Sequence, residues 1–194
     1  MNKLIAEMSM SLDGFIADEN DGVEHLFGWY GNGDVEVRTA NPDITLHVSQ
    51  PSAEFIRPAF EGGIGALICG RRVYDIANGW NGRHPVGSPV FVVTHNAPAE
   101  RPSDDITFWT DPADALAAAR KTAGDRDVSV ATPSLIRQYL NAGELDRIVV
   151  AVVPVLLGAG IRYFDGLADT PVKLSDPTIV QGKQVTHLSY DVLR

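Results

Sequence analysis

Apolar runs alternate with amphipathic segments along this 194-residue chain. The amphipathic segments have the periodicity of helices and lie at 52–60, 71–78, 112–122 and 133–140. The apolar runs are typical of strands and lie at 3–10, 64–69, 89–94, 106–109, 128–131 and 145–153. This alternation predicts an α/β fold in which helices flank a central, mostly parallel sheet.

Three other segments refine this prediction. The tail at 172–193 has the pattern of two strands around Gln181-Gly182-Lys183, which predicts a C-terminal β-hairpin. An antiparallel hairpin at one edge would make the sheet mixed. Residues 18–50 are polar and rich in turn formers, so a long irregular segment is expected there. We expect Ser52 and Asp111 to cap the helices that they precede.

The end of the strand at 64–69 is the most informative part of the sequence for function. Gly70-Arg71-Arg72 follows it directly, and a helix-compatible segment comes next. Backbone N–H groups, the positive end of a helix dipole and two guanidinium groups would meet there, which favours a phosphate. Thr94-His95 and Ala131-Thr132 also follow strands, and parallel sheets bind ligands at the carboxyl ends of their strands. The pattern predicts a phosphorylated ligand, most simply a dinucleotide cofactor.

The charge and the length of the chain limit the class of protein. A net charge of −9 argues against a nucleic-acid partner, which would need a basic face. The segment 71–101 nevertheless has more arginines than acidic residues, because Arg71, Arg72, Arg83 and Arg101 outnumber Asp75 and Glu100. A local positive region in an acidic protein fits a bound anion. The length suits one domain over residues 1–194.

The single cysteine, Cys69, indicates the redox compartment. One cysteine cannot form an intrachain disulfide, so a reducing, cytoplasmic location is expected. At the end of an apolar strand, this thiol is expected to pack as a small hydrophobe. No window is long and apolar enough to predict a membrane span, and no histidines have metal-ligand spacing. We therefore expect neither a membrane association nor a metal.

A set of short motifs occurs in a fixed order along the chain. They are Met10–Ala17, Gly70–Tyr74, Pro89–His95, Leu140–Asp146 and Pro154–Gly160, followed by Phe164-Asp165. Together they resemble the dihydrofolate reductase superfamily, and in particular the C-terminal reductase domain of bacterial riboflavin-biosynthesis proteins. The resemblance implies a sheet of about eight strands flanked by helices. It also implies NADPH as the hydride donor, a small heterocyclic substrate and a homodimer.

The resemblance also implies which residues would bind the cofactor. These are Ser9, Ile16, Gly70, Arg71, Arg72, Val73, Thr94, His95, Ala131, Thr132, Ser134 and Leu135. The chain departs from the family at the pyrophosphate turn, where two adjacent glycines are usual and this sequence has Ala131-Thr132-Pro133-Ser134. Side chains at the first two positions restrict the backbone and crowd a phosphate, although the Thr132 hydroxyl could partly replace the lost contacts.

Asp13 and Glu54 are the candidate catalytic residues. Asp13 could line the substrate or nicotinamide pocket, or it could be a turn carboxylate that bonds its own backbone. Glu54 could hydrogen-bond a heterocycle, or it could simply favour the start of its helix. Near the first strand there is no Gly-x-Gly-x-x-Gly, which argues against a doubly wound dehydrogenase.

The sequence therefore predicts an NADPH-dependent reductase acting on a pteridine or an aminouracil-type riboflavin precursor. The reductase of 5-amino-6-(5-phosphoribosylamino)uracil is the analogue that the resemblance suggests. The alternative is a non-catalytic protein that keeps the fold and binds a planar or nucleotide-like ligand. The intact Gly70-Arg71-Arg72 favours the reductase, whereas the Ala131-Thr132 replacement favours the binding protein.

Overall fold

The structure is a computed structural model that describes residues 2–98 and 103–194, so Glu100 and Arg101 lie outside the described residues. The strands are β1 (Leu4–Ser11), β2 (Phe15–Ala17), β3 (Val35–Arg38), β4 (Thr45–Val48), β5 (Ile64–Gly70), β6 (Val90–Val93), β7 (Ile106–Trp109), β8 (Asp127–Val130), β9 (Arg147–Val153), β10 (Ile161–Arg162), β11 (Thr178–Gly182) and β12 (Val185–Asp191). The α-helices are α1 (Glu24–Phe27), α2 (Gln50–Pro58), α3 (Arg71–Ile76), α4 (Pro112–Ala123) and α5 (Pro133–Asn141).

An eight-stranded sheet in the order β11-β12-β9-β1-β8-β5-β6-β7 organises the molecule. Six neighbouring strands of this sheet run parallel to one another: β9, β1, β8, β5, β6 and β7. By contrast, β12 is antiparallel to β9 and forms a hairpin with β11. This topology confirms the predicted mixed, mostly parallel sheet with a C-terminal hairpin. Because the central strands are parallel, their carboxyl ends all lie at one edge.

One face of the sheet packs against α4 and α5 in a continuous apolar core. Leu4 and Ala6 of β1 and Val130 of β8 meet Ala119 of α4 and Ile136 of α5 in this core. The remaining strand residues alternate with these and point to the opposite face, as the pleat of a strand requires.

The opposite face carries two separate apolar clusters. The Trp29 cluster comprises Leu26, Trp29, Val37, Leu46, Val48, Ala53, Ile56, Ala151, Val153 and Val185. The Cys69 cluster comprises Leu67, Cys69, Val90, Val92 and Ile106. Cys69 is fully buried in this cluster, which confirms that it packs as a small hydrophobe. Burial raises the pKa of its thiol to about 12.

The segment at 18–50 is more regular than the sequence predicts. It contains α1, a 3₁₀ turn at Gly28–Gly31 and the antiparallel pair of β3 and β4. Val37, Leu46 and Val48 of this pair are buried in the Trp29 cluster. Each strand has only four residues, so its apolar alternation was too short to be distinguished from a loop.

Two predicted helix boundaries also differ. The helix α2 begins at Gln50, after Ser49, and Ser52 is not its cap. The Ser52 side chain is buried, and its Oγ lies 2.9 Å from Nε2 of His187. The helix α3 ends at Ile76, because several residues of the following turn at 78–82 adopt positive φ.

The start of α4 agrees with the prediction. Asp111 accepts hydrogen bonds from the backbone N–H groups of Ala113 and Asp114, at 2.7 and 3.0 Å, and Pro112 occupies the first helical position. Within the part of the chain that the structure describes, no helix is long and apolar enough to cross a bilayer.

Candidate cofactor and substrate site

The three predicted phosphate-compatible turns meet at the carboxyl edge of the sheet, after the neighbouring strands β8, β5 and β6. The Ala131 N–H donates to the Ile68 carbonyl at 3.0 Å, which joins the end of β8 to β5. Arg71 Nη1 donates to the Asn96 carbonyl at 3.0 Å, which joins the turn after β5 to the turn after β6. The sequence prediction that these turns share one edge is therefore confirmed.

Two helices begin at this edge without a side-chain cap. Gly70 precedes α3 and Thr132 precedes α5, and neither helix start receives a capping side chain. By contrast, the Asp111 carboxylate occupies the start of α4. The first turns of α3 and α5 therefore present their positive ends to a ligand, although Pro133 removes one donor from α5.

The two guanidinium groups beside these helix starts are exposed. Arg71 Nε donates to both carboxylate oxygens of Asp75, at 2.7 and 2.9 Å, and its side chain is 41% exposed. Arg72 Nη2 lies 2.6 Å from Asp21 Oδ1, and its side chain is 63% exposed. A guanidinium has five N–H donors, so each group keeps donors that could reach an anion.

Thr132 fills the space where a glycine would leave room. Its Oγ1 accepts a hydrogen bond from the Gly70 N–H at 2.8 Å and donates to the Ala131 carbonyl at 2.6 Å. A Cβ atom on Gly70 would lie 3.0 Å from Thr132 Cγ2, so a larger residue at position 70 would be crowded. The sequence predicts that the Gly70 N–H donates to a phosphate. In the structure this N–H already donates to Thr132.

The turn after β6 is closed by its own threonine. Thr94 Oγ1 accepts from the Asn96 N–H at 3.2 Å and donates to the Asn96 carbonyl at 3.3 Å. His95 is exposed at the tip of this turn. The guanidinium groups, the uncapped helix starts and this turn together fit a phosphate-bearing cofactor, whereas the turn at Ala131-Thr132 is narrower than a glycine pair would make it.

Asp13 connects two loops at the same edge of the sheet. Its Oδ1 accepts from Ser11 Oγ at 2.6 Å and from the Leu157 N–H at 3.2 Å, and its Oδ2 accepts from the Gly158 N–H at 2.7 Å. The hydrogen bond from Ser11, supported by those from Gly158 and Leu157, lowers the pKa of Asp13. Asp13 is thus an ionised anchor for the loop at 154–160 and is poorly suited to donate a proton.

The structure does not bring Glu54 to this edge. Ser52, Ala53 and Ile56 form the buried face of α2, and Glu54 lies on the opposite, exposed face. Its Oε1 accepts from Gln50 Nε2 at 2.7 Å, one turn earlier in the same helix. Burial of Ser52 against His187 sets the orientation of the helix, and this orientation leaves Glu54 on the exposed face.

Several of the other predicted cofactor residues have side chains inside the protein. Ile16 and Leu135 are buried in the core beside α4 and α5. The Ser9 side chain is buried and accepts from Trp29 Nε1 at 3.1 Å. Val73 is partly buried against the Cys69 cluster, and Ser134 is exposed at the start of α5. Ile16, Leu135 and Ser9 can therefore support the edge but do not present their side chains to it.

Glu7 was not singled out in the sequence, although it occupies a notable position in the sheet. The register pairs Ile5 with Ser129, and Ser129 with Leu67, so these three side chains share one face. Glu7 is two residues from Ile5 and therefore lies on that face, in a strip that belongs to neither the Trp29 nor the Cys69 cluster. The sequence feature that could have identified Glu7 is a carboxylate in the middle of an apolar strand.

This sheet order is that of the dihydrofolate reductase-like fold. The chain belongs to the RibD C-terminal domain family, whose sequence profile matches residues 83–188. The matched stretch includes Thr94 and Ala131-Thr132, but it begins after Asp13 and Gly70-Arg71-Arg72. The uncharacterized protein YwjB of Bacillus subtilis is 23% identical over 168 residues, which cover 86% of this chain and 85% of YwjB.

Solved structures share the same fold. A protein of Shewanella sp. PV-4 named for riboflavin biosynthesis is 20% identical, with a TM-score of 0.69 over 99% of both chains. Dihydrofolate reductase of Enterococcus faecalis, in complex with NADP(H) and RAB-propyl, is 15% identical, with a TM-score of 0.60 over 99% of this chain and 97% of that enzyme. RibD of Acinetobacter baumannii is 16% identical, with a TM-score of 0.64; the match spans all of this chain but 58% of RibD.

Proposed function

We propose that this chain is an NADPH-dependent reductase that transfers a hydride to a small heterocycle of the pteridine or aminouracil type. The observation that supports this most is the convergence of two uncapped helix starts with the exposed Arg71 and Arg72 at one edge of the sheet. Membership of the RibD C-terminal domain family favours the same reaction class.

In this proposal the cofactor lies across the carboxyl ends of β8, β5 and β6. Arg71 or Arg72 would bind the 2′-phosphate together with the Thr94-His95 turn. The start of α5, with Thr132 and Ser134, would face the pyrophosphate. NADPH would supply the hydride, and the protein's part is to hold the heterocycle against it and to manage one proton.

The substrate would lie over β1, between the Trp29 cluster and the Cys69 cluster. Glu7 and Ser129 form the floor of this strip, and the loop at 154–160 borders its carboxyl end through Asp13. A planar heterocycle suits a strip between two apolar clusters, with a few polar groups to orient it. By its family, an aminouracil such as 5-amino-6-(5-phosphoribosylamino)uracil is the first substrate to test.

The second candidate is a protein that binds a planar ligand without reducing it. One observation favours it: Thr132 uses the Gly70 N–H and narrows the turn where the cofactor pyrophosphate would approach. A Thr132→Gly variant tests this point. If the turn merely weakens a functional site, the glycine should tighten NADPH binding; if NADPH still fails to bind, the non-catalytic candidate is favoured.

The decisive experiment is a titration of the purified protein with NADPH and with NADH, followed by tryptophan fluorescence. We expect NADPH to bind about ten- to a hundredfold more tightly, since a charged hydrogen bond contributes about 1.5–3 kcal/mol. Arg71→Ala or Arg72→Ala should reduce this preference. The control is Arg83→Ala, which removes the same charge from an exposed position. Equal affinities for the two cofactors would contradict the proposed site.

A further inference from the structure

We infer that Glu7, in the middle of β1, gives the proton that completes the reduction of the heterocycle. The inference rests on the proposed function, but it starts from a separate observation. Glu7 is a carboxyl group on the sheet face where the substrate would lie, and none of the described side chains forms a hydrogen bond or ion pair with it.

The position of Glu7 is fixed by its neighbours in the sheet. It pairs with Val149 of β9, and its own strand places Ile5 and Ser9 on the same face. On one side of the strip, Ser9 contacts Trp29. On the other side, Ser129 of β8 pairs with Leu67, which belongs to the Cys69 cluster. Glu7 is partly buried rather than enclosed, so a ligand in the strip could reach its carboxyl group.

The Glu7 carboxyl group has no polar partner in the described part of the chain. Among residues 2–98 and 103–194, no hydrogen bond or ion pair reaches it. Arg147 pairs with Ile5, two residues before Glu7, and its Nε donates to Asp191 Oδ1 at 2.9 Å. Without a compensating charge, burial raises the pKa of Glu7 above its ordinary value of 4.5. The raised pKa favours the neutral, protonated form of this carboxyl group.

The other titratable groups around Glu7 are poor sources of a proton. Burial and the charge of Glu7 raise the pKa of Tyr30 and of Tyr163 above the ordinary range. Burial raises the pKa of Cys69 to about 12 and lowers that of His187 to about 4, so both stay neutral around pH 7. Arg147 forms an ion pair with Asp191. Glu7 is therefore the best-placed acid on this part of the face.

The reaction balances with one carboxyl proton. A C=N bond of the heterocycle accepts a hydride at carbon, and its π electrons move to nitrogen. That nitrogen takes the proton from the Glu7 carboxyl, so the C=N bond becomes CH–NH while the nicotinamide is oxidised. The resulting Glu7 carboxylate is destabilised by its burial and regains a proton from water before the next turnover.

The test compares Glu7→Gln with the wild type in three measurements. Infrared difference spectra at neutral pH should show a protonated carboxyl band that the variant lacks. Turnover of NADPH with dihydrofolate or 5-amino-6-(5-phosphoribosylamino)uracil should fall about 10²-fold, while the affinity for NADPH stays unchanged. The loss of wild-type activity as the pH rises through the Glu7 pKa should disappear. Glu54→Gln, on the exposed face of α2, is the matched control and should behave as the wild type.

The outcomes distinguish a failure of the donor role of Glu7 from a failure of the proposed function. If Glu7 is ionised at neutral pH, or if Glu7→Gln turns over normally, the proton-donor role is wrong even when NADPH binds. If the wild type binds no NADPH, the proposed function fails, and the donor role with it, although the infrared band would still report the state of Glu7. A fall in NADPH affinity equal to the fall in turnover would indicate a structural role instead.

Discussion

Glu7 and Asp13 stand at the middle of β1 and just beyond its end, and their surroundings affect them in opposite ways. Asp13 accepts three hydrogen bonds from Ser11, Leu157 and Gly158, which lower its pKa. Glu7 is without a partner among the described residues, and burial raises its pKa. Two carboxyl groups six residues apart are thereby prepared for different tasks.

The surroundings of a carboxyl group, more than its residue type, therefore decide whether it can donate a proton. The carboxylate in a recognisable motif, Asp13, holds a loop in place. The carboxyl group in an unremarkable apolar strand, Glu7, has the environment of an acid. A general acid must release its proton within the reaction, whereas an anchor must not change its charge at all.

The largest effect is expected from Asp13→Asn. An amide offers one acceptor oxygen where the carboxylate has two, so the N–H groups of Leu157 and Gly158 cannot both keep their bonds. We expect the loop at 154–160 to loosen and turnover to fall about 10²-fold through misplacement of the substrate. Hydrogen exchange at Leu157 and Gly158 should increase in parallel. Loss of turnover with unchanged exchange would mean that Asp13 acts on the substrate directly.

Much of this architecture was predictable because it depends on local pattern. The apolar runs predicted the sheet, and Gly70-Arg71-Arg72 predicted the edge at which the turns meet. The hairpin of β3 and β4 was missed because four-residue strands give little periodicity. The orientation of Glu54 and the environment of Glu7 depend on contacts distant in sequence. His187 contacts Ser52 across 135 residues, and the register of β1 with β9 decides what faces Glu7.

A second prediction separates the two carboxyl groups by the pH dependence of stability. Folding raises the pKa of Glu7 above its ordinary value of 4.5. The contribution of Glu7 to the free energy of unfolding is therefore fully present below pH 4.5 and is lost as the pH rises through the pKa of the folded state. Because that of Asp13 is lowered, its contribution is present above its ordinary value of 3.8 and is lost as the pH falls. The free energy of unfolding is measured with denaturant across a pH series. In Glu7→Gln this free energy should depend less on pH on the alkaline side, and in Asp13→Asn it should depend less on pH on the acidic side. Identical profiles for the two variants would contradict the comparison.

A smaller effect is expected from His187, which must be distinguished from Asp13 on the acidic side. Burial lowers the pKa of His187 from its ordinary value of 6.5 to about 4, so the unfolded chain binds the extra proton first as the pH falls. The free energy of unfolding should therefore decrease between about pH 6.5 and pH 4, and His187→Gln should make that decrease shallower. His25→Gln, at an exposed position, is the control. An equally steep profile in His187→Gln would show that His187 is not the group responsible.

The most direct test of the division between Glu7 and Asp13 is a ¹³C NMR titration of both side-chain carboxyl groups in one sample. Glu7→Gln and Asp13→Asn provide the assignments, and the wild-type signals are followed from acidic to alkaline pH. We expect Asp13 to ionise below its ordinary value of 3.8 and Glu7 above its ordinary value of 4.5. If Glu7 ionises at or below its ordinary value, it is not the acid of this site and the central contrast is wrong.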